Sequence, residues 1–485
     1  MYHTIGLAIF ITLSYFAFAA KHPLKLRSNY FKNGKGHPIP VVHQDTRFRR
    51  FTNGKEVSDE GSRRFGNSPY LVKNGKHHEV VISQPSHVKE FFSQDGSDHQ
   101  KLHDCNMGSF FARSLGSCVG VQNGTKWRTT RSHLETHFSF SSAASMVEDT
   151  RRTIEQWAQN LPEDTEIGQK MSQGFQIDAV TACRQLPFRL IAMALYGPMF
   201  SEPMFARLWG LNSLHEQMTY VTFLSRWAAT RLYRWFPTKA NATLKNFEEQ
   251  FKEFNLELIE RGRKAGVAFP VESMYQAVEE GKVDMTSFLQ SIDEILFTNI
   301  DVTSSMFAYC LINLGRQLGI QNSLRKEVRE KPCTSDVFRY IQDENTLLHQ
   351  VYLEILRNSP PAWFSLPELT AKDKTIGGYL IPAATPVIID VRRLNQESPV
   401  WAPDGTAFRP DRWSSISKVD ARYSLYGYGL GPRKCLGKNF ALMMIKLLII
   451  TVLEQYHLGA GVETKIRRDT WTCTPDSLVS FEKLV

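Results

Sequence analysis

The sequence predicts a mainly α-helical protein with small β-sheets, preceded by one N-terminal transmembrane helix. An uncharged apolar run opens the chain. Further along, apolar residues recur at helical spacing, which indicates long helices at residues 287–319, at 345–357 and from 438 toward 454. Shorter runs rich in β-branched and aromatic residues, bounded by turn residues, predict strands at 69–73, 79–83 and 378–389.

The opening apolar run, residues 4–20, carries no charge and is followed by Lys21, Lys25 and Arg27. A helix of this length measures about 25 Å, slightly less than a hydrocarbon core of about 30 Å. Such a helix suits a thin membrane like that of the endoplasmic reticulum. The alternative is a cleaved signal peptide, because Ala17-Phe18-Ala19 resembles a cleavage site. Since Lys and Arg residues follow the run and none precedes it, we expect a membrane anchor with the rest of the chain in the cytoplasm.

The remaining chain divides into a short hinge and one large domain. Residues 21–40 are basic and end in the Gly- and Pro-rich segment GKGHPIP, which favours a stiff link. No internal repeat or low-complexity tract interrupts the rest. The predicted organisation is therefore an anchor at 1–20, a hinge at 21–40 and a globular domain at 41–485.

Composition excludes several classes of protein. The 485 residues are 42% hydrophobic, which is enough for a substantial core. A net charge of +9 with no dense basic run argues against nucleic-acid binding and favours an acidic partner or an anionic membrane surface. The seven cysteines are scattered and contain no C-x-x-C pair, which argues against a disulfide framework and a structural zinc site.

The most informative segment is Tyr428-Gly429-Leu430-Gly431-Pro432-Arg433-Lys434-Cys435-Leu436-Gly437. Its glycines let the backbone turn around one sulfur so that amide N–H groups point at a thiolate. Arg433 adds a fixed positive charge suited to an anionic cofactor edge. This pattern suits a thiolate ligand of haem iron. A buried free cysteine in a glycine-rich loop is the alternative.

Two further segments carry charge inside apolar surroundings. Glu354 and Arg357 lie at i and i+3 of a helical stretch, share a face and can pair. Arg412 is a candidate third member of this group, because a guanidinium can bind a carboxylate through two hydrogen bonds. The alternative for Glu354 and Arg357 is an ordinary surface ion pair.

The long apolar helix carries Asn299, Asp301 and Thr303 in its middle. Polar groups there cost stability unless they are bonded, and their bonds to the preceding turn open a local irregularity. An acid and a hydroxyl at this place can hold water and pass protons. A solvated helix face is the alternative.

Trp127 and Arg131 lie at i and i+4, on one face of another predicted helix. The indole N–H and the guanidinium can both bond a carboxylate, such as a haem propionate. A cation–π pair at the surface is equally compatible with the spacing.

Taken in order, these motifs resemble those of the cytochrome P450 family, and the resemblance covers nearly the whole chain. It implies the cytochrome P450 fold, haem b, and Cys435 as the axial iron ligand. By the same resemblance, Gly429, Gly437 and Tyr428 belong to the ligand loop. Other roles follow in the same way: propionate contacts for Trp127, Arg131 and Arg433, a structural triad of Glu354, Arg357 and Arg412, and an oxygen-activating pair of Asp301 and Thr303.

The chain departs from the family pattern on both sides of the expected haem. Tyr428 stands where the family usually has Phe, which adds a hydroxyl near the sulfur. Thr298-Asn299 replaces the usual small residue and Gly, so Asn299 is expected to alter the oxygen groove. This variant resembles fungal secondary-metabolite members of the epithiodiketopiperazine type.

The resemblance implies a monooxygenase of the endoplasmic reticulum membrane that acts on a small hydrophobic natural product, with a diketopiperazine as the candidate. Substrate selectivity is expected in residues 101–122 and 195–239. The chain shows no G-x-G-x-x-G unit, so electrons from NADPH are expected through a separate cytochrome P450 reductase, with cytochrome b5 as an optional partner. Oxidative coupling, cyclisation or isomerisation without oxygen insertion is the first alternative, and a non-catalytic haem-binding protein is the second.

Overall fold

A computed structural model describes residues 30–484 except 76, 162–167, 172, 331–336, 462, 464 and 468–469. The predicted N-terminal transmembrane helix therefore lies outside the described residues. Helices dominate the described part of the chain. Their bounds are α1 Arg49–Thr52, α2 Gly54–Phe65, α3 Pro85–Phe92, α4 Ser109–Ser114, α5 Gly124–Glu135, α6 Phe140–Ser145, α7 Val147–Asn160, α8 Ala179–Cys183, α9 Gln185–Tyr196, α10 Glu202–Gly210, α11 Asn212–Leu224, α12 Lys239–Lys264, α13 Pro270–Glu279, α14 Met285–Asp293, α15 Ile300–Arg316, α16 Leu318–Glu330, α17 Val337–Gln342, α18 Leu347–Asn358, α19 Val391–Glu397, α20 Lys418–Ala421 and α21 Lys438–Gln455.

Short strands form small sheets at the edge of the helical body, as the sequence predicts. The larger sheets have the orders β1-β2-β3-β10-β7-β4 and β11-β14-β6-β5, and β12-β13 and β8-β9 form two-stranded sheets. The strand bounds are β1 Val41–Asp45, β2 Tyr70–Asn74, β3 His77–Ile82, β4 Gln100–Lys101, β5 Gly168–Met171, β6 Gly174–Asp178, β7 Glu368–Leu369, β8 Lys374–Ile376, β9 Tyr379–Ile381, β10 Pro386–Ile389, β11 Tyr456–Ala460, β12 Lys465–Ile466, β13 Pro475–Asp476 and β14 Leu478–Lys483.

Two apolar helices, α15 and α21, form the centre of the molecule. Every residue of α21 from Met443 to Leu453 is buried, as is the second half of α15 up to Gly315. The stretch Met285–Arg316 has the length and hydropathy of a membrane span, but 72% of its most apolar window is buried inside the protein. It is therefore the core helix around which the other elements pack.

The predicted helix at 287–319 is wrong at its C-terminal end, because the helix stops at Arg316. It consists of α14, a π-helical turn at Glu294–Thr298 and α15, and α16 begins separately at Leu318. The side-chain amide of Asn299 donates to the carbonyls of Glu294 (2.8 Å) and Ile295 (3.3 Å), which opens the regular helical ladder. The predicted irregularity at the polar residues is thereby confirmed.

The predicted strand at 378–389 is also divided, into β9 and β10. The connecting turn contains Pro382, which cannot donate a ladder hydrogen bond, and Ala384, whose φ of 59° is left-handed. The helix predicted at 345–357 begins at Leu347, because the Thr346 hydroxyl accepts from the His349 amide and caps it.

Candidate active site

The loop before α21 presents one thiol to its surroundings. Among the six cysteines with described surroundings, Cys435 is exposed and the other five are buried. Gly429 and Gly431 have φ of 77° and 69°, so this path of the chain requires glycine. The Cys435 amide donates to the Tyr428 carbonyl at 2.8 Å, which closes the loop. The result is a rigid turn with an accessible sulfur at its tip.

The electrostatic surroundings of Cys435 are mixed. Desolvation raises the pKa of its thiol, while a hydrogen bond from the Gly437 amide and the positive charge of Arg131 act to lower that pKa. An amide donor and a cation beside sulfur favour the thiolate, which is the form that binds a metal. The glycine at 437 therefore places a backbone donor where the sequence predicts one.

Trp127 and Arg131 project from α5 onto this loop. Arg131 donates to the carbonyl of Lys434 at 3.1 Å and to Glu135 at 2.6 Å. The Arg433 guanidinium lies over the Trp127 ring, 4.6 Å from its centroid. The structure thus brings the three predicted cofactor contacts together, and the cation–π partner of Trp127 is Arg433 rather than Arg131.

Behind the loop, Glu354 binds both predicted arginines in the protein interior. Its carboxylate accepts two bonds from Arg357, at 2.6 and 2.9 Å, and one from Arg412 at 3.1 Å. The Trp413 indole (3.0 Å) and the Arg409 amide (2.8 Å) complete its surroundings. Glu354 and Arg357 are fully buried, so the surface-pair alternative is wrong.

Arg357 also ties distant segments to α18. Its guanidinium donates to the carbonyls of Asn395 (2.9 Å), Ala407 (3.0 Å) and Gly405. All its donors therefore have acceptors, which a buried charge requires. The network joins α18 to the segment that leads into the Cys435 loop.

Residues 298–303, which include the polar residues at the start of α15, are partly exposed, whereas the helical residues on either side of them are mostly buried. Among these six residues, Ile300 alone is buried. Thr303 donates its hydroxyl to the Asn299 carbonyl at 2.7 Å. The Asn299 amide is turned into the π-helical turn, as described above. These two polar side chains thus bond mainly to their own helix.

Asp301 is held by residues that the sequence gives no reason to place near it. One carboxylate oxygen accepts from Arg184 at 3.1 Å, and the other accepts from the Trp471 indole at 3.0 Å. Because residues two apart on a helix point in nearly opposite directions, Asp301 and Thr303 do not share a face. In the part of the chain that the structure describes, the Asp301 carboxylate and the Thr303 hydroxyl make no hydrogen bond with each other.

A cavity of about 320 Å³ adjoins Asp301. Its lining combines apolar side chains with hydrogen-bonding groups, and one of these, the imidazole of His215, pairs with the buried carboxylate of Asp293 at 2.9 Å. Both segments expected to set selectivity contribute to it, one through α4 and the other through α11. Its lining includes Phe111, Leu115, Phe223, Phe297, Ile300, Asn212, His215, Glu216 and Asp301.

The residues present fit a haem group. Among the described residues, no cluster of three or more His, Cys, Asp and Glu side chains offers a protein-only metal site. A single accessible sulfur can hold iron only when a cofactor supplies the other ligands. The amide and the cation beside Cys435, and the two arginines near the loop, match a thiolate ligand and an anionic cofactor edge.

Comparisons with known proteins agree with this geometry. The family profile "Cytochrome P450" matches residues 34–478. The cytochrome P450 monooxygenase lepD of Aspergillus flavus is 38% identical, over 94% of this chain and 90% of its own. The monooxygenase gliC of Aspergillus fumigatus is 28% identical, over 87% and 82% of the two chains.

A solved zebrafish cytochrome P450 structure with progesterone shares the fold. Its TM-score is 0.67 at 15% identity, and the match covers 89% of this chain and 99% of that chain. The chain belongs to the cytochrome P450 family, and it is a monooxygenase of that family. The resemblance to fungal members is confirmed. The roles of the individual site residues remain predictions.

Proposed function

We propose that the protein oxidises a small hydrophobic natural product of fungal secondary metabolism, using electrons from NADPH that a separate flavoprotein reductase supplies. The observation that carries the proposal is the accessible thiol of Cys435 in its glycine-bounded loop, the one exposed cysteine among the residues that the structure describes. Haem, when bound, supplies the activation of dioxygen. Cys435 would hold its iron, and Arg131, Arg433 and Trp127 would hold its anionic edge.

The experiment for this proposal is reconstitution with NADPH, a cytochrome P450 reductase and isotopically labelled dioxygen. Label in the product supports oxygen insertion. Product without label favours the alternative of coupling, cyclisation or isomerisation on the same scaffold. Isomerisation consumes no electrons, so a product that forms without NADPH would support that alternative and contradict the proposed oxidation. The absence of any product, with or without NADPH, would contradict both.

The mixed walls of the cavity support a substrate that is apolar but carries hydrogen-bonding groups, and a diketopiperazine is such a molecule. Asn212 and His215 contribute amide and imidazole groups to the lining, and Phe111 and Phe223 contribute apolar surface. Spectral titration with candidate diketopiperazines tests this class. If none of these compounds shifted the absorption spectrum, diketopiperazines would be excluded as the substrate class.

Asp301 is proposed to move protons on the side of the cleft opposite Cys435, with Thr303 as the second group. Each Asp301 oxygen accepts one hydrogen bond, from Arg184 or from Trp471, and keeps a further lone pair through which the carboxylate can exchange a proton with water. Asn299 is proposed to keep the helix open at this point through its bonds to Glu294 and Ile295.

Asp301→Asn is expected to lower the rate of product formation by about 10²-fold, because an amide keeps the shape but cannot transfer the proton. The measurement is turnover together with its solvent deuterium isotope effect. Glu216→Gln is the matched control, since Glu216 also binds Arg184 but lies on α11 rather than on α15. Unchanged turnover in Asp301→Asn would contradict the proposed role.

An acidic reductase is proposed to dock on the face around the Cys435 loop. Arg128, Lys434 and Lys438 are exposed there, whereas Lys126 is paired with Asp284 at 2.9 Å. Complementary charge steers encounter more than it sets affinity. These positions therefore support a salt-dependent encounter.

Lys434→Glu with Lys438→Glu is expected to slow electron transfer from the reductase by about 10-fold at low salt, and less at high salt. Stopped-flow reduction at several ionic strengths measures this. Lys252→Glu, an exposed position on α12, is the control and should leave the rate unchanged. Equal rates in both variants would exclude docking at this face.

The protein is further proposed to reside in the endoplasmic reticulum membrane, with residues 1–20 as its anchor and the catalytic domain, 41–485, in the cytoplasm. A patch of exposed apolar side chains supports contact with a bilayer, and it is interspersed with the exposed basic residues Arg226, Arg231 and Arg234. Membrane fractionation of the full chain tests the location. The patch consists of Tyr220, Trp227, Leu232, Trp235 and Phe236, which are 46–72% exposed.

A further inference from the structure

Two tyrosine hydroxyls meet behind the Cys435 loop. Tyr352 lies on α18, is 2% exposed, and donates its hydroxyl to that of Tyr428 at 2.9 Å. The Tyr428 carbonyl in turn accepts from the Cys435 amide at 2.8 Å. The Tyr352 hydroxyl is therefore connected to the thiol-bearing residue through a single side chain.

The surroundings keep both hydroxyls neutral. Burial raises the pKa of Tyr352, and burial followed by the proximity of Tyr352 raises the pKa of Tyr428 well above its usual value. Negative charge on Cys435 also raises the pKa of both tyrosines. Two neutral O–H dipoles thus remain behind the loop that carries Cys435, in a buried medium where dipoles interact strongly.

A buried cation favours Tyr352 as the donor of the pair. The Lys446 ammonium lies 5.7 Å from the centroid of the Tyr352 ring, and it donates to the Ile341 carbonyl at 2.6 Å. A cation at the ring face withdraws electron density and strengthens the hydroxyl as a donor. The Tyr428 hydroxyl oxygen is consequently the acceptor. The O–H bond of Tyr428 is therefore directed away from Tyr352.

We propose that Tyr352 is a positioning residue that acts on the Cys435 thiolate through Tyr428. By occupying the Tyr428 oxygen, it fixes the orientation in which the Tyr428 O–H presents its positive end toward the sulfur. Positive charge near the sulfur weakens its electron donation and raises the reduction potential of the bound iron. This inference rests on the proposed haem-thiolate site and adds a residue to it.

The test is the haem reduction potential, measured by spectroelectrochemistry at one pH in the holoenzyme. Tyr428→Phe restores the residue usual in the family and is expected to lower the potential, with up to about a tenfold shift in the ferric-to-ferrous ratio, or about 59 mV for one electron. Tyr352→Phe is expected to give a smaller shift of the same sign. The double variant is expected to match Tyr428→Phe alone, because Tyr352 acts only through Tyr428.

Tyr196→Phe is the matched control. Its hydroxyl is also buried and donates to Asn255 at 2.9 Å, but it lies on α9, away from the loop. We expect a comparable loss of thermal stability in this variant and an unchanged potential. Unchanged or raised potentials in Tyr352→Phe, or additive shifts in the double variant, would overturn the proposal. A reduced CO-bound spectrum with the thiolate band in each variant shows that the haem-thiolate site itself is intact.

Discussion

Cys435→Ser is expected to reduce NADPH-dependent turnover to background and to remove the long-wavelength Soret band of the reduced, CO-bound protein. A hydroxyl is far less acidic than a thiol and is a harder ligand, so it cannot supply the same electron density to iron. The glycines that shape the loop would remain, and the fold should be retained.

Cys183→Ser provides the control for this prediction. Cys183 is fully buried at the end of α8, and its replacement introduces a polar group into the core without touching the loop. The control variant should be less stable but should keep both the band and the turnover. Retention of the band in Cys435→Ser would make the ligand assignment wrong.

Arg357→Met is expected to destabilise the domain by about 3–5 kcal/mol. The reason is that the buried Glu354 carboxylate loses the positive charge and the two hydrogen bonds of Arg357. Three backbone carbonyls, those of Asn395, Ala407 and Gly405, would also lose a donor. The free energy of unfolding from urea titration measures the effect, and haem content should fall with it.

Two comparisons make this result interpretable. Arg263→Met breaks pairs with Glu272 and Glu279 at the surface, where Arg263 is 40% exposed, and its effect should be far smaller. Adding Glu354→Gln to Arg357→Met should recover part of the loss, since the unpaired charge is removed. A change in stability as small as that of Arg263→Met would exclude a structural role for the buried network.

Local patterns predicted much of the molecule. Long apolar helices follow from periodicity, and α21 lies within one residue of its predicted end near residue 454. Short motifs also identified the Glu354, Arg357 and Arg412 network, because a carboxylate among apolar residues requires buried partners. The irregular turn before Asn299 followed from the same argument about unsatisfied polar groups.

Contacts between distant segments could not be predicted from the sequence where neither segment carries a recognisable motif. Asp301 is bound by Arg184 and Trp471, which lie 117 and 170 residues away along the chain, and neither belongs to a recognisable motif. Tyr352 meets Tyr428 across 76 residues. Such contacts depend on how helices pack, and the spacing of residues along one helix carries no information about them.

The central claim is that Cys435 binds haem iron as a thiolate. The most direct measurement is the absorption spectrum of the purified full chain after reduction and addition of carbon monoxide. We predict the long-wavelength Soret band of thiolate ligation in the unaltered protein. A Soret band at the shorter wavelength typical of histidine-ligated haem, or no haem spectrum at all, would contradict the claim.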